Sequence, residues 1–234
     1  MVVALMETAP VRVSIIIPAL NEAEAIAEAV SRARRLNPLE IIVVDGGSDD
    51  DTPRLAAQAD QVHTAPRGRG TQQNQGAAAC RGDVLLFLHA DCWLEPDALQ
   101  AITRALDDIQ CVGGCFQQRI EAVGRRYRWL ERGNALRVKW WKLAYGDQGI
   151  FCRRQVFERL GGFPPLPLME DLFFMKRLRQ EGKVALLDAR LHVSARRWEQ
   201  RGVIRQTATN WLLTVLAQAG VSPERLARWY PHLR

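Results

Sequence analysis

Apolar, β-branched runs alternating with stretches of helical periodicity predict an α/β fold, a doubly wound and mostly parallel central sheet with helices on both faces in a single domain. Three observations carry this. The runs at 13–17, 41–44 and 84–88 are almost continuously apolar, as expected of strands buried on both faces rather than half-exposed ones. Each is separated from the next by helix-patterned sequence, and parallel neighbours need such crossovers. Each run also ends in a polar or acidic cluster, and in open α/β sheets ligands bind beyond the carboxyl ends of the strands.

Taken in order, the first strand is 13–17, ending at Pro18. A helix over 23–36 follows, with Ala23, Ile26, Ala27, Val30, Ala33 and Leu36 on one face. Arg32, Arg34 and Arg35 oppose its dipole in the last turns, and Asn37-Pro38 stops it. A strand at 41–44, a short helix at 52–58, a strand at 61–64, a helix at 71–80 and a strand at 84–88 complete the alternation. Asp49 reads as a capping residue for the helix that opens at Thr52. Beyond residue 110 the pattern weakens to a strand around Gly113-Gly114, a basic aromatic helix over 125–141, a strand near 149–152 and two further helices. The organisation expected is a tail at 1–10, one domain over 11–200 and a helical extension over 201–234, with no internal repeat.

With 47% hydrophobic and 25% charged residues in 234, the chain suits a globular core and excludes global disorder or a fibrous architecture. The net charge of +6 is unevenly spread: residues 1–118 hold 9 basic against 16 acidic side chains, and 119–234 hold 23 against 10. The second half therefore suits something anionic: a phosphorylated ligand, an acidic membrane face or nucleic acid. Five cysteines without a Cys-x-x-Cys pair or a zinc-like His cluster are expected as buried free thiols. The N-terminal residues lack a basic segment and a long apolar run, and no stretch reaches the roughly 18 apolar residues of a membrane span. A cytoplasmic location, in places peripheral to the inner membrane face, is the expectation. Helix 203–217 is too short and polar to span, leaving docking on the domain, a homodimer contact or an anionic membrane surface as its alternatives.

The glycine-rich dinucleotide loop, the P-loop, the Gly-x-Ser-x-Gly elbow and His-Glu-x-x-His are all absent from the sequence. What remains is carboxylates at strand ends with arginines downstream, an arrangement suited to a divalent cation and a diphosphate. Arg67-Gly68-Arg69-Gly70 precedes a helix, where glycines allow close backbone approach and arginines fork onto phosphate oxygens. His63 and His192 read as partly buried structural imidazoles, the Cys111–Cys115 pair as packing, and Trp140, Trp141 and Tyr145 as core more than as the wall of an acceptor pocket.

These motifs, 14–22 (Ser-Ile-Ile-Ile-Pro-Ala-Leu-Asn-Glu), 43–52 (Val-Val-Asp-Gly-Gly-Ser-Asp-Asp-Asp-Thr), 87–91 (Phe-Leu-His-Ala-Asp), Gly161-Gly162-Phe163-Pro164 and Glu170-Asp171, stand in the order found in the family 2 glycosyltransferases, and over roughly 11–200 the sequence resembles that family. Tyr145-Gly-Asp-Gln-Gly149 and Ser194-Ala-Arg-Arg-Trp198 look like a small stand-alone bacterial subgroup that includes arsenosugar-biosynthesis glycosyltransferases. The resemblance implies a GT-A fold with a Rossmann-like sheet and a metal-dependent, inverting transfer from a nucleotide sugar, UDP-linked, to a hydroxyl acceptor. It implies donor contacts from Pro18, Asn21, Glu22, Asp45, Arg67, Arg69, Asn74, His89, Asp91, Arg196 and Arg197. Asp45 would accept from the base, Asp91 would bind Mn²⁺ or Mg²⁺ bridging the diphosphate, and Asp171 would be the general base. His89 replaces the first carboxylate of the family's Asp-x-Asp, shifting the metal preference toward Mn²⁺ or leaving the imidazole to the ribose. Ser194 replaces the Gln of processive members, which with no spanning helix argues against polymer export. The implied acceptor is a small molecule or lipid-linked, and no nucleic acid partner is implied. Two rivals stay open at this level: a nucleotidyltransferase, disfavoured because 18–22 carries no Lys or Arg, and a non-catalytic nucleotide-sugar binding module, motivated by His89.

Overall fold

The computed structural model describes residues 11–229, with Arg197 and Arg201 described by their backbone alone. The tail at 1–10 and residues 230–234 of the extension lie outside the described residues. The chain begins with β1 (Val13–Ala19), α1 (Ile26–Arg35), β2 (Glu40–Asp45), α2 (Thr52–Leu55) with a 3₁₀ turn at Ala56–Gln58, β3 (Gln61–Thr64), α3 (Arg69–Ala79) and β4 (Val84–Phe87). This half matches the sequence expectation element by element. The second half is richer: β5 (Cys92–Leu94), α4 (Ala98–Leu106), β6 (Cys111–Glu121), α5 (Arg125–Trp141), a 3₁₀ turn at Gly146–Gln148, β7 (Ile150–Arg153), α6 (Arg154–Arg159), α7 (Glu170–Glu181), β8 (Lys183–Ser194), α8 (Arg196–Arg201), α9 (Val203–Gln218) and α10 (Pro223–Trp229).

Among the described residues the strands form one eight-stranded sheet of order β3-β2-β1-β4-β7-β6-β8-β5. Strands β1 to β4 are mutually parallel, β7 runs antiparallel to β4 and β6, β6 pairs parallel with β8, and β5 closes the edge antiparallel to β8. β1 outruns β4, whose pairing with it ends at Ile16, so Pro18 falls where only β2 flanks the strand and one less N–H is needed. The sequence places His192 in a strand-like run but does not reveal the full length of β8, and it misses β5, for physical reasons. β8 carries Asp188, Arg190 and His192 between buried Leu187, Ala189, Leu191 and Val193, so it lacks the continuous apolar run of a doubly buried strand, and β5 is only three residues long.

Alternate residues of the central strands feed two cores. Ile15, Ile17, Ile41, Val43 and Leu86 pack with Ile26 and Val30 of α1 and Ile102 of α4 on one face. Ile16, Ile42, Val44, Leu85 and Phe87 pack with Ala77 of α3 and Phe174, Met175 and Leu178 of α7 on the other. Each fully buried aliphatic contributes roughly 1.5–3 kcal/mol relative to exposure. Leu213 and Ala217 of α9 and Leu226 of α10 join this second core, so the C-terminal helices dock by one face. All five cysteines are free and buried, as expected.

At the amino-terminal end of the sheet, Glu40 is fully buried between β1 and the 80–82 turn. Burial disfavours its charge, but hydrogen bonds from Ser14 Oγ (2.7 Å) and from Arg81 (backbone N 2.5 Å, Nε 2.9 Å) outweigh that and hold its carboxyl below the usual range. The opposite, carboxyl-terminal end is where the polar loops gather.

β6 threads between β7 and β8 because two glycines let it. A Cβ on Gly114 would lie 2.2 Å from the Ala185 carbonyl oxygen and 2.9 Å from the Phe151 ring, and one on Gly113 would lie 2.4 Å from the Phe151 carbonyl oxygen. Gly114→Ala is therefore expected to cost at least about 1–3 kcal/mol through overpacking, read as a lowered urea midpoint with unchanged slope.

Candidate active site

The site is assembled by five loops and the start of α3. After β1, Asn21 takes a left-handed conformation (φ 54°), and its side chain accepts from Asp49 N at 2.9 Å while Asn21 N donates to Ser48 Oγ. Glu22 N donates to Thr52 Oγ1 at 2.8 Å, and Asp50 accepts from Ala23 N and Thr52 N. The loops after β1 and β2 are thereby one hydrogen-bonded unit, and it is Asp50, not Asp49, whose carboxylate engages Thr52 at the start of α2. Asp45 is 3% exposed; its Oδ2 accepts from Gly47 N and Ser48 N at 2.9 Å, and Oδ1 from the Ser48 hydroxyl. Gln72 of α3 buttresses both strand ends, donating to Ala19 O (2.8 Å) and Val44 O (2.9 Å).

The N-terminus of α3 enters this region through Gly68 (φ 143°). Gly70 is pressed so closely on Pro164 O that a Cβ would sit 2.9 Å away and 3.4 Å from Glu170 Cβ. That approach brings Arg69 against the carboxylates. Its Nη1 lies 3.4 Å from Glu170 Oε1, and its charge is further stabilised by Asp171, Asp91 and Asp147, which together outweigh the effect of burial and raise its pKa. Arg67 is exposed at the same loop. Asn74 holds a backbone segment: its amide donates to Phe163 O and accepts from Phe163 N, both at 2.8 Å, clamping the Gly161-Gly162-Phe163 turn to α3.

That turn leads to Met169, left-handed at φ 65°, an uncommon conformation for a side-chain-bearing residue. It starts α7 so that Glu170 and Asp171 are buried, at 3% and 9% exposure. Asp171 Oδ2 accepts from Gly146 N at 2.6 Å and Oδ1 from Leu172 N at 2.7 Å. Desolvation and the neighbouring Glu170 charge push its pKa up to about 6, with the Gly146 N–H and Arg69 acting the other way. Gly146 is required here: a Cβ would lie 2.7 Å from His89 Nε2 and 3.4 Å from Asp171 Oδ2. His89 and Asp171 thus flank one peptide. Ligand atoms of His89, Asp91 and Cys92 lie within 4.8 Å of one another, making them a candidate metal cluster among the described residues.

Asp147 is the residue that the sequence reading names no role for. It and Gly146 sit on the 143–149 loop, which a buried network holds in place. Arg137 Nη2 and Tyr145 N donate to Gln148 Oε1, Arg137 also donates to Leu143 O and Asn134 Oδ1, Asn134 donates to Gln118, and Gln118 donates to Asp147 O. The available signal was Asn134 and Arg137 falling on the otherwise apolar stripe of α5 with Tyr127 and Val138. Tyr145 lies under the Arg137 guanidinium at 3.6 Å and hydrogen-bonds Thr214 of α9. Trp140 and Trp141, expected as core, are instead 72% and 50% exposed, because the buried stripe of α5 is the other one. His63 bonds Gln61, and His192 bonds Glu121 and stacks on Trp93, both half-buried as expected. Arg196 is exposed at the start of α8, and the Arg197 side chain lies outside the described residues.

A family model described as glycosyl transferase family 2 matches residues 14–162, more than half of the chain and the whole carboxyl-end loop set up to the Gly161-Gly162 turn. The chain belongs to glycosyl transferase family 2. The probable glycosyltransferase YdaM of Bacillus subtilis is 27% identical over 220 residues, covering 81% of this chain and 50% of that protein. The putative glycosyltransferase EpsH of the same organism is 33% identical over 84 residues, covering 33% of this chain and 24% of that one. This family member thus spans half or less of the length of these curated relatives. Among solved structures, S. aureus TarS 1–349 superposes with a TM-score of 0.62 at 16% identity over 79% of this chain and 60% of that one. Glucosyl-3-phosphoglycerate synthase from Mycobacterium tuberculosis gives 0.55 at 19% identity over 79% and 69%. These likenesses show the GT-A fold.

Asn74→Ala should release the turn that delivers Glu170 and Asp171. Loss of both bonds to the Phe163 backbone is expected to cost about 1–3 kcal/mol, measured by chemical denaturation, with faster amide exchange at Phe163 than in the parent.

Proposed function

We propose that this family 2 member transfers a sugar from a nucleotide-sugar donor, UDP-linked, to a hydroxyl acceptor with inversion at the anomeric carbon, and that the reaction depends on Mn²⁺ or Mg²⁺. The observation that carries the reading is the convergence of Asp91, Asp147, Glu170 and Asp171 on Arg69, with one of these carboxylates, Asp171, buried and raised to about 6. A buried carboxylate with a raised pKa is a stronger base than a solvated one and is positioned for proton abstraction near neutral pH. Asp171 would take the proton of the acceptor hydroxyl on Oδ2, with the Gly146 N–H holding that carboxylate in orientation. Arg69 and Arg67 would meet the donor phosphates. Asp45 retains one acceptor position on Oδ1 beyond its bond from Ser48, which would receive the base N–H. Pro18, Asn21 and Glu22 line the strand end beside it, and Asn74 acts at one remove, through the Phe163 turn.

The donor set at 89–92 fits a metal of borderline hardness: one half-buried carboxylate with an adjacent imidazole suits Mn²⁺ and leaves coordination positions for diphosphate oxygens and water. Asp91 and His89 would hold the ion, and a bound cation supplies neutralisation of charge on the departing nucleoside diphosphate. UDP-GlcNAc is bound in a solved TarS complex, and Mn²⁺ with UDP in glucosyl-3-phosphoglycerate synthase, which supports the same donor class here. The acceptor class is a hydroxyl-bearing small molecule or a lipid-linked one; several relatives are named undecaprenyl-phosphate 4-deoxy-4-formamido-L-arabinose transferases, which supports the lipid-linked alternative.

The test is release of nucleoside diphosphate from a panel of UDP- and GDP-sugars with Mn²⁺ and a set of hydroxyl acceptors. Asp171→Asn is expected to lower turnover by about 10²–10⁴-fold with donor affinity retained, and Asp91→Ala to weaken donor binding in Mn²⁺. Because the ionised form of Asp171 is the active one, the rate should rise with pH through about 6, not near the ordinary carboxylate value. Full turnover in Asp171→Asn, or a product of retained anomeric configuration, would remove the assignment.

A further inference from the structure

We propose that the outward faces of α5 and α9 form a surface that docks on an anionic lipid membrane. On α5 the buried stripe is Tyr127, Asn134, Arg137 and Val138, and the opposite stripe faces water. That outward stripe runs Arg125, Trp129, Arg132, Leu136, Lys139 and Trp140 at helical spacing, with Trp129 and Trp140 exposed at 70% and 72%. Indole rings and cationic side chains alternate on it, and no exposed carboxylate interrupts them: Glu131, the only acid of the helix, is turned inward and paired with Arg128 and Arg119. On α9 the outward stripe is Ile204, Ala208, Trp211, Leu212 and Val215, and the helix contains no acidic residue at all.

The two helices touch, the Tyr145–Thr214 hydrogen bond ties α9 to the loop that follows α5, and a cavity of about 420 Å³ lies between their first turns, lined by Val123, Arg126, Tyr127, Val203 and, from α8, Trp198 and Glu199 among others. Val123, fully exposed just before α5, extends the apolar surface. Several large apolar side chains left in water on adjoining helices mark an interaction surface rather than scattered exposure. The chemistry of the stripe selects the occupant. Tryptophan interleaved with arginine and lysine is the composition of a membrane interface, the rings at headgroup depth and the cations on lipid phosphates. A second copy of the chain would bring Arg125, Arg132 and Lys139 against their own like charges, so self-association is the disfavoured occupant. The inference stands apart from the donor-site reading, since lipid binding needs no turnover.

The test is co-sedimentation of the full chain with phosphatidylcholine vesicles and with vesicles that also contain phosphatidylglycerol. Binding is expected for the anionic vesicles alone, with a blue shift of tryptophan emission, and to weaken when salt shortens the Debye length from about 8 to about 3 Å. Arg132→Glu with Lys139→Glu should weaken partitioning by on the order of 30-fold or more, and Trp129→Ala with Trp140→Ala should weaken binding and reduce the emission shift to what Trp141 and Trp211 contribute, each at unchanged thermal midpoint because all four altered side chains are exposed. Should a variant fail to fold, the lipid and salt dependence of the unaltered protein still decides. Absence of binding to anionic vesicles, equal binding to neutral ones, or a dimer in sedimentation velocity that the Trp140→Ala change dissolves would overturn the proposal.

Discussion

The structure turns on one arginine. Four carboxylates, Asp91, Asp147 and the adjacent Glu170 and Asp171, come from three different segments to the carboxyl end of the sheet, and mutual repulsion would drive them apart or protonate them. Arg69 compensates them at the first turn of α3, and Gly70, pressed on Pro164 O and Glu170, is what allows it to reach that position. The compensation is incomplete by design of the geometry: Asp171 keeps a pKa raised to about 6 because burial and Glu170 outweigh Arg69 and the Gly146 N–H. A carboxylate left in that state can exchange a proton near neutral pH, which is the property the proposed role as general base requires.

That scaffold consists largely of side chains gripping backbone. Gln72 ties two strand ends, Asn74 clamps the Phe163 turn, Asn21 and Asp50 join the loops after β1 and β2, and Arg137 with Gln148 and Asn134 fixes the loop bearing Gly146 and Asp147. Buried polar groups of this kind are costly unless every partner is present, which makes the loops rigid as well as polar. The same helix that carries Arg137 inward carries Trp129 and Trp140 outward, so the proposed membrane surface and the loop of the candidate site share one rigid element.

The parallel half was legible in the sequence because doubly buried strands announce themselves: 41–44 and 84–88 are apolar without interruption, and 13–17 is broken only by Ser14. β8 was legible only as a strand-like run around His192, since a strand with one wetter face alternates and its Asp188, Arg190 and His192 interrupt the apolar pattern. Asp45, Asp91 and Asp171 were legible as residues at strand and helix ends, and the geometry does bring Asp91 and Asp171 to one place with Arg69. Asp147 was hidden, because its position depends on a polar network between Gln118, Asn134, Arg137 and Gln148 whose members are scattered along the chain. Asn74 was legible as important but not as a clamp, since no pattern in sequence pairs it with a backbone almost ninety positions away.

The central claim is that the Arg69 cluster is a nucleotide-diphosphate site requiring a cation at Asp91. The most direct measurement is the thermal midpoint of the full chain with UDP and with GDP, each with Mn²⁺ and then with chelator. A ligand that binds only the folded state at about a hundred times its Kd adds about 2.7 kcal/mol of stability. A raised midpoint with UDP and Mn²⁺ that chelator reverses and that Asp91→Ala lacks is the expected result. No shift with either nucleotide, or a shift of equal size in chelator, would contradict it.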